Sequence, residues 1–298
     1  MSPSHSDPSR CTWLAGYGGE SGGAAAPTRD ASSVAAGAQQ GVVTRLTASS
    51  TLHLPSLGLA RNTVHLWFAC IDVPSAELEV LSETLVADEH ERAGRFRFRR
   101  DCRRFIAGRG ILRYLLSRYL NTVPVALIFR YGHAGKPAIA EPATSLRFNL
   151  SHAGAWALYA IGRDRELGVD IELREDSVPW SELAPMVFSG AEQSELKACP
   201  VEERPAVFLR GWTRKEAYIK ARGAGLSLPL KRFDVPLGLE QNPVSIDTAG
   251  DRGTTPRWWL YPIDAPAGYM AALVAEGAPV SLSYRRWPGS SVSTGLAA

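Results

Sequence analysis

Several things are scarce in this chain of 298 residues, and each scarcity excludes something. The four cysteines, Cys11, Cys70, Cys102 and Cys199, form no CxxC pair, which removes zinc-ribbon and thioredoxin-like chemistry and makes a reducing cytoplasm the expected location. The start lacks a basic segment followed by an apolar one, so no secretory leader is expected. No stretch approaches the roughly 20 apolar residues that cross a bilayer, so no membrane partner is expected. Charge of one sign is not in excess: 33 Lys and Arg against 30 Asp and Glu leave +3, too little to argue for nucleic acid. A GxSxG elbow is missing around Ser151, and no His and Asp stand at triad spacing, which argues against serine hydrolysis. Methionine occurs only at 1, 186 and 270, so a true start near residue 60 would be a non-ATG one, a question the native mass decides.

What is present divides the chain. Residues 1–61 are rich in Gly, Ala, Ser and Thr without a period of 2 or 3.6, and a disordered extension is expected there. From Thr63 the texture changes, with Val64, Leu66 and Phe68 alternating as in a strand buried on one face. A helix is expected over Ser75 to Arg92. A second spans Arg103 to Leu120, where Ile111, Leu112, Leu115 and Leu116 keep helical spacing. Strands follow at Leu146 to Leu150 and Trp156 to Ala160, separated by a polar break at Ser151 to Gly154, and another runs from Gly168 to Leu173. Helices near Trp180, Gly190 and Pro205 to Arg222 lead to closing strands at Trp258 to Tyr261 and Tyr269 to Ala275. Both halves thus run strand, helix, long helix, strands. The order suggests a pseudo-duplicated α+β fold of two similar subdomains, 62–166 and 167–288, with a flexible tail at 289–298 and a site at the interface.

Three constellations carry chemistry. In Gly168 to Leu173 the period of two puts Asp170 and Glu172 on one face, about 7 Å apart at roughly 3.3 Å per residue, within reach of one cation. Magnesium suits such a pair, since it takes one or two carboxylates and completes its shell with water and phosphate oxygens. On the helix from Pro205, Phe208, Trp212, Glu216, Ile219 and Lys220 share a stripe, and Glu216 and Lys220 stand one turn apart. Ser151 and His152, with Lys136 upstream, offer a hydroxyl, an imidazole and an ammonium suited to phosphate. Each pattern alone also fits a structural role: a wetted strand face, a surface ion pair, a capping histidine. Their conjunction is what is specific. Nine arginines between Arg92 and Arg113 add a prospective anion-binding surface.

Taken in order, GKP at Gly135, FNLSH at Phe148, GVDIE at Gly168 and WTRKEAYIK at Trp212 resemble the motif set of the Sfp-type 4′-phosphopantetheinyl transferases. The motifs cover roughly Ala87 to Phe233. The resemblance implies transfer of the phosphopantetheine arm of coenzyme A to a serine of an apo acyl, peptidyl or aryl carrier protein, with release of 3′,5′-ADP, in polyketide or nonribosomal peptide synthesis. It implies Mg²⁺ held by Asp170, Glu172 and Glu216. Glu216 or a water would take the serine proton, and Lys220 would neutralise the departing phosphate, with Lys215 a weaker candidate nearby. Ser151 and His152 would hold the 3′-phosphate, while Arg92 and Lys136 grip the rest of the nucleotide. At Glu89 some relatives place a lysine and at Phe105 a small hydroxyl residue, so Arg104 or Arg109 is expected to compensate. A fold duplicated within one chain makes a monomer sufficient. A coenzyme A-binding module without catalysis and a Mg²⁺-dependent phosphohydrolase are the competing readings. The complete acidic set speaks against the first, and the second would consume coenzyme A without a carrier.

Overall fold

The expected strand at Thr63 forms as β1 (Thr63–Cys70), and its central positions are buried on both faces rather than one. The reason is a layered packing. Trp67 and Ala69 turn toward α3 (Arg99–Leu120), joining Ile111, Leu112, Leu115 and Leu116 in one core. Val64, Leu66 and Phe68 turn the other way, into a second core shared with Val169, Ile171 and Leu273. The molecule is thus an α+β fold in which two four-stranded sheets pack against each other through that second core. The structure, a computed structural model, describes residues 57–175, 178–246 and 257–288. The extension expected over 1–61 lies outside the described residues up to 56, and the tail expected over 289–298 lies wholly outside them.

The first sheet has the order β10-β1-β5-β4, with β4 (Leu146–Ala153), β5 (Trp156–Arg163) and β10 (Ser281–Arg286). The single helix expected over Ser75 to Arg92 is instead two, α1 (Ser75–Ser82) and α2 (Ala87–Gly94). Thr84 Oγ1 caps the end of α1 by donating to the Leu81 carbonyl at 2.6 Å, and the Val86 N–H donates to Glu89 at 3.2 Å to open α2. α3 stops at Asn121, which adopts the left-handed conformation (φ 49°) that short polar side chains tolerate. A separate hairpin of β2 (Ile128–Tyr131) and β3 (Pro137–Glu141) follows.

The second sheet has the order β6-β9-β8-β7, from β6 (Leu167–Leu173), β7 (Val244–Ile246), β8 (Trp258–Ile263) and β9 (Tyr269–Glu276). Helices α4 (Trp180–Val187), α5 (Gly190–Ala198) and α6 (Arg204–Arg222) lie between β6 and β7 in the chain, and α6 packs on β6 and β9. α6 begins with Pro205 in its first turn and ends at Gly223 (φ 61°), as start and stop signals require.

Two expectations need correction. The polar break at Ser151 to Gly154 is not a break: β4 continues through Ser151, His152 and Ala153, and only the Gly154–Ala155 turn separates it from β5. The last strand among the described residues, β10, does not stay with the second half. It pairs in parallel with β1, Thr63 opposite Ser281, and Trp287 closes behind it by donating to Glu77 at 2.9 Å.

Candidate functional site

β6 is an edge strand of the second sheet and β4 an edge strand of the first. The two edges meet at Asn149, whose Oδ1 accepts the Val169 N–H at 2.8 Å. Asn149 is 1% exposed, so this bond satisfies a backbone donor that would otherwise be buried unpaired. On the other side α6 presses directly on β6 at Gly168. A Cβ there would overlap the Ala217 carbonyl oxygen and the Ala221 nitrogen, so only glycine permits the approach. These two contacts fix where Ser151, Asp170 and Lys220 meet.

Asp170 is 2% exposed. Its Oδ1 accepts from Lys220 Nζ at 2.6 Å and from Ser151 Oγ at 2.9 Å, and Lys220 Nζ also donates to Ser151 Oγ at 2.9 Å. The three side chains close a triangle. Asp170 Oδ2, equally buried, has no hydrogen-bond partner. Glu172, two residues along β6, accepts from Trp212 Nε1 at 3.1 Å, and Trp212 itself is buried against the sheet.

The acidic residues feel one another. Burial pushes the Glu172 carboxyl up to about 9, with the Asp170 charge next in size and Glu216 adding to it against Lys220 and Trp212. Glu216, half-buried, rises to about 7 through burial and then Asp170, against Lys220. Asp170 is also raised by burial, with Lys220, Ser151 and a backbone N–H opposing. Burial disfavours the charged form of all three carboxyls, and the Asp170 charge adds to this at Glu172 and Glu216, so the site is short of positive charge. The donor set is all oxygen, and an orphaned carboxylate oxygen is available, both of which fit a hard divalent cation such as Mg²⁺. Among the described residues, no three acidic, His or Cys side chains converge as a ready metal cluster: Asp170 Oδ1 is taken by Lys220, and Glu172 is turned to Trp212.

The other expected site residues divide. His152 follows Ser151 on β4, and strand alternation turns it to the opposite side, where its ring keeps contact with solvent. The packed atoms around it still disfavour its charged form, and Lys220 and Arg104 lower its pKa further. Arg104 is gripped by Asp72 through two bonds of 2.7 and 2.6 Å, so a cation is fixed near His152. Lys136 donates to Glu166 at 2.7 Å and to the Ala221 carbonyl at 3.0 Å, tying the residue before β6 and the end of α6 to the turn that precedes β3. Arg92 is exposed on α2, its guanidinium 5.3 Å from the Phe105 ring centre.

Lys215 does not belong with these groups. It is 0% exposed, and its three N–H donors meet the Leu230 carbonyl (2.8 Å), the Phe233 carbonyl (2.6 Å) and the Glu192 carboxylate (2.8 Å). No donor remains for a nucleotide, and five residues along a helix put Lys215 about 140° of rotation away from Lys220. Glu89, where a lysine was the alternative, is buried in an ion pair with Arg113 at 2.6 Å and beside Arg109 at 3.5 Å. Arg109 therefore faces inward, and Arg104 is the arginine whose charge reaches His152. Sequence reading missed Asn149 and the part played by Trp212; an asparagine in the middle of a buried strand was the available signal.

Comparison with known proteins places the chain in a family. The sequence model of a family described as the 4′-phosphopantetheinyl transferase superfamily matches residues 166–274. One described as 4′-phosphopantetheinyl transferase, N-terminal, matches residues 73–162. The chain is similar to the 4′-phosphopantetheinyl transferase HetI of Nostoc sp., 36% identical over 225 residues, which span 75% of this chain and 92% of that one. It is similar to the 4′-phosphopantetheinyl transferase Sfp of Bacillus subtilis, 34% identical over 189 residues, or 63% of this chain and 80% of that one. AcpT of Salmonella typhi, also a 4′-phosphopantetheinyl transferase, is 38% identical over 146 residues, or 48% and 73%.

Proposed function

The chain belongs to the 4′-phosphopantetheinyl transferases, and from that membership we propose that it moves the phosphopantetheine arm of coenzyme A onto the serine of an apo acyl or peptidyl carrier protein with the help of Mg²⁺. The observation that carries the finer reading is the meeting of Asp170, Ser151 and Lys220 in one bonded triangle beside Glu172 and Glu216.

In the reaction the carrier serine oxygen bonds to the β-phosphorus of coenzyme A, the bond to the bridging oxygen breaks, and 3′,5′-ADP leaves with that oxygen. Asp170, Glu172 and Glu216 are the residues that would hold Mg²⁺, Asp170 through its unpartnered Oδ2. The metal would supply charge that screens the diphosphate and polarises the phosphorus under attack. Glu216, or a water where Glu216 is held by the metal, would accept the serine proton. The ammonium of Lys220 would neutralise the negative charge that builds on the leaving phosphate. Arg104 offers a cation, and His152, held toward its neutral form, a ring N–H donor, for a further phosphate of the nucleotide. Lys136 supports this arrangement by holding α6, and Arg92 offers a cation at the surface.

A cytoplasmic monomer serving polyketide or nonribosomal peptide synthesis is the setting we propose. The test is the fate of coenzyme A. Incubated with Mg²⁺ and an apo carrier protein, the enzyme should release one 3′,5′-ADP per carrier modified, and chelation by EDTA should stop it. Consumption of coenzyme A at an equal rate without carrier would show a phosphohydrolase instead.

A further inference from the structure

Family resemblance makes Ser151 and His152 joint holders of the 3′-phosphate, but the structure gives the two residues different surroundings. They are neighbours on β4, and strand alternation sends their side chains to opposite sides. His152 keeps contact with solvent, whereas Ser151 is 8% exposed and faces Asp170 of β6.

The inventory of a hydroxyl decides what Ser151 does there. It has one proton to give and two lone pairs. An ammonium can only donate, so Ser151 accepts from Lys220 at 2.9 Å; a carboxylate can only accept, so the single Ser151 proton goes to Asp170 at 2.9 Å. A phosphate oxyanion, itself an acceptor, would meet only a lone pair. We propose that Ser151 is a positioning residue that clamps the Lys220 ammonium against Asp170, and that it is not a ligand of the nucleotide's 3′-phosphate. This rests on the transferase reading above for its consequence in catalysis. The clamp itself is a property of the resting protein.

Holding a lysine matters because its four-carbon stem is flexible and its ammonium strongly hydrated. With Ser151 removed, Lys220 keeps Asp170 but loses one of the anchors that fix its direction, and Asp170 loses a donor. The loss should appear in the rate of transfer rather than in recognition of the 3′-phosphate.

Three measurements on the full chain test this. Calorimetric affinities for coenzyme A and dephospho-coenzyme A should keep the wild-type ratio within about twofold in Ser151→Ala. The same variant should lower kcat about tenfold, the scale of one hydrogen bond to a charged group, and Ser151→Thr, which restores the hydroxyl, should recover most of it. Independently of activity, amine labelling followed by peptide mass spectrometry should modify Lys220 several-fold faster in Ser151→Ala than in wild type. The fully buried Lys215 serves as the slow control and exposed Lys231 as the fast one. A Ser151→Ala protein that loses preference for coenzyme A over dephospho-coenzyme A overturns the proposal, as does unchanged kcat or unchanged labelling of Lys220. A wild-type protein that neither binds coenzyme A nor modifies a carrier sinks the transferase reading instead, while the labelling result still decides the clamp.

Discussion

Replacing Gly168 by alanine tests whether the α6–β6 contact builds the site. The added methyl group would lie 2.8 Å from the Ala221 Cα and closer still to the Ala217 carbonyl and the Ala221 nitrogen. Carbon atoms in contact sit about 3.5–4.0 Å apart, so α6 has to retreat by about 1 Å, because the opposing atoms are helix backbone and have no rotamer to escape into. Overpacking of this kind costs about 1–3 kcal/mol. The functional loss should be larger in proportion. Lys220 and Glu216 ride on α6 while Asp170 and Glu172 stay on β6, and a displacement of about 1 Å of a reacting group can cost on the order of 100-fold in rate. Urea denaturation and carrier-transfer kinetics on the same samples measure both effects. Gly190→Ala is the control, since nothing lies within 4 Å of its would-be Cβ; it should leave both stability and transfer near wild type. Wild-type stability together with wild-type kcat/KM in Gly168→Ala would refute the idea that this close approach positions the site.

Lys215→Met should lower the melting temperature by roughly 10 °C, since it strands the Glu192 carboxylate and two carbonyls at about 3–5 kcal/mol; a rise in KM for coenzyme A with unchanged melting would restore Lys215 to the nucleotide site. His65 predicts acid sensitivity. It is buried between Tyr119, which its Nδ1 meets at 2.6 Å, and Arg285, which donates to its Nε2 at 3.3 Å, and burial followed by the Arg285 charge lowers its pKa to about 4. Above pH 6.5 the ring is neutral in both states; as pH falls from 6.5 toward 4 the unfolded chain binds a proton that the folded chain refuses. Stability is therefore lost across that window, by up to about 3 kcal/mol. Urea midpoints at pH 7 and pH 4.5 check this, and His65→Gln should flatten the difference; an equal slope in both proteins would contradict it.

The parts of the fold legible in the sequence are those written in local period. Asp170 and Glu172 fall on one side of β6 because alternation is a property of any strand, and the α6 stripe follows from 3.6 residues per turn. The parts that were not legible depend on partners distant in the chain. Ser151 and His152 read as a polar interruption, yet β4 runs through them because Asp170 and Lys220, 19 and 69 residues onward, satisfy the buried hydroxyl. Ser281–Arg286 falls within the second subdomain expected from the sequence, with no strand read there; Ser281, Arg285 and Arg286 are polar, and only the pairing with β1 makes this β10, a strand of the first sheet. Lys215 illustrates the same limit. Beside Glu216 in sequence it looks like part of the site, but one helical step turns it into the core, where Glu192 and two carbonyls take its donors. At the site itself, local period put Asp170 with Glu172 on β6 and Glu216 with Lys220 on α6. That Glu172 faces Trp212 and Asp170 faces Lys220 emerged only from the packing of α6.

The carboxylates around Asp170 are proposed to serve phosphopantetheine transfer. Intact-mass spectrometry of an apo acyl or peptidyl carrier protein, after incubation with coenzyme A, Mg²⁺ and this enzyme, tests it most directly. The carrier should gain the mass of one phosphopantetheine arm with wild type and stay unmodified with Asp170→Ala; carriers of several classes left unchanged by the wild-type enzyme, or modified as fast by Asp170→Ala, would contradict it.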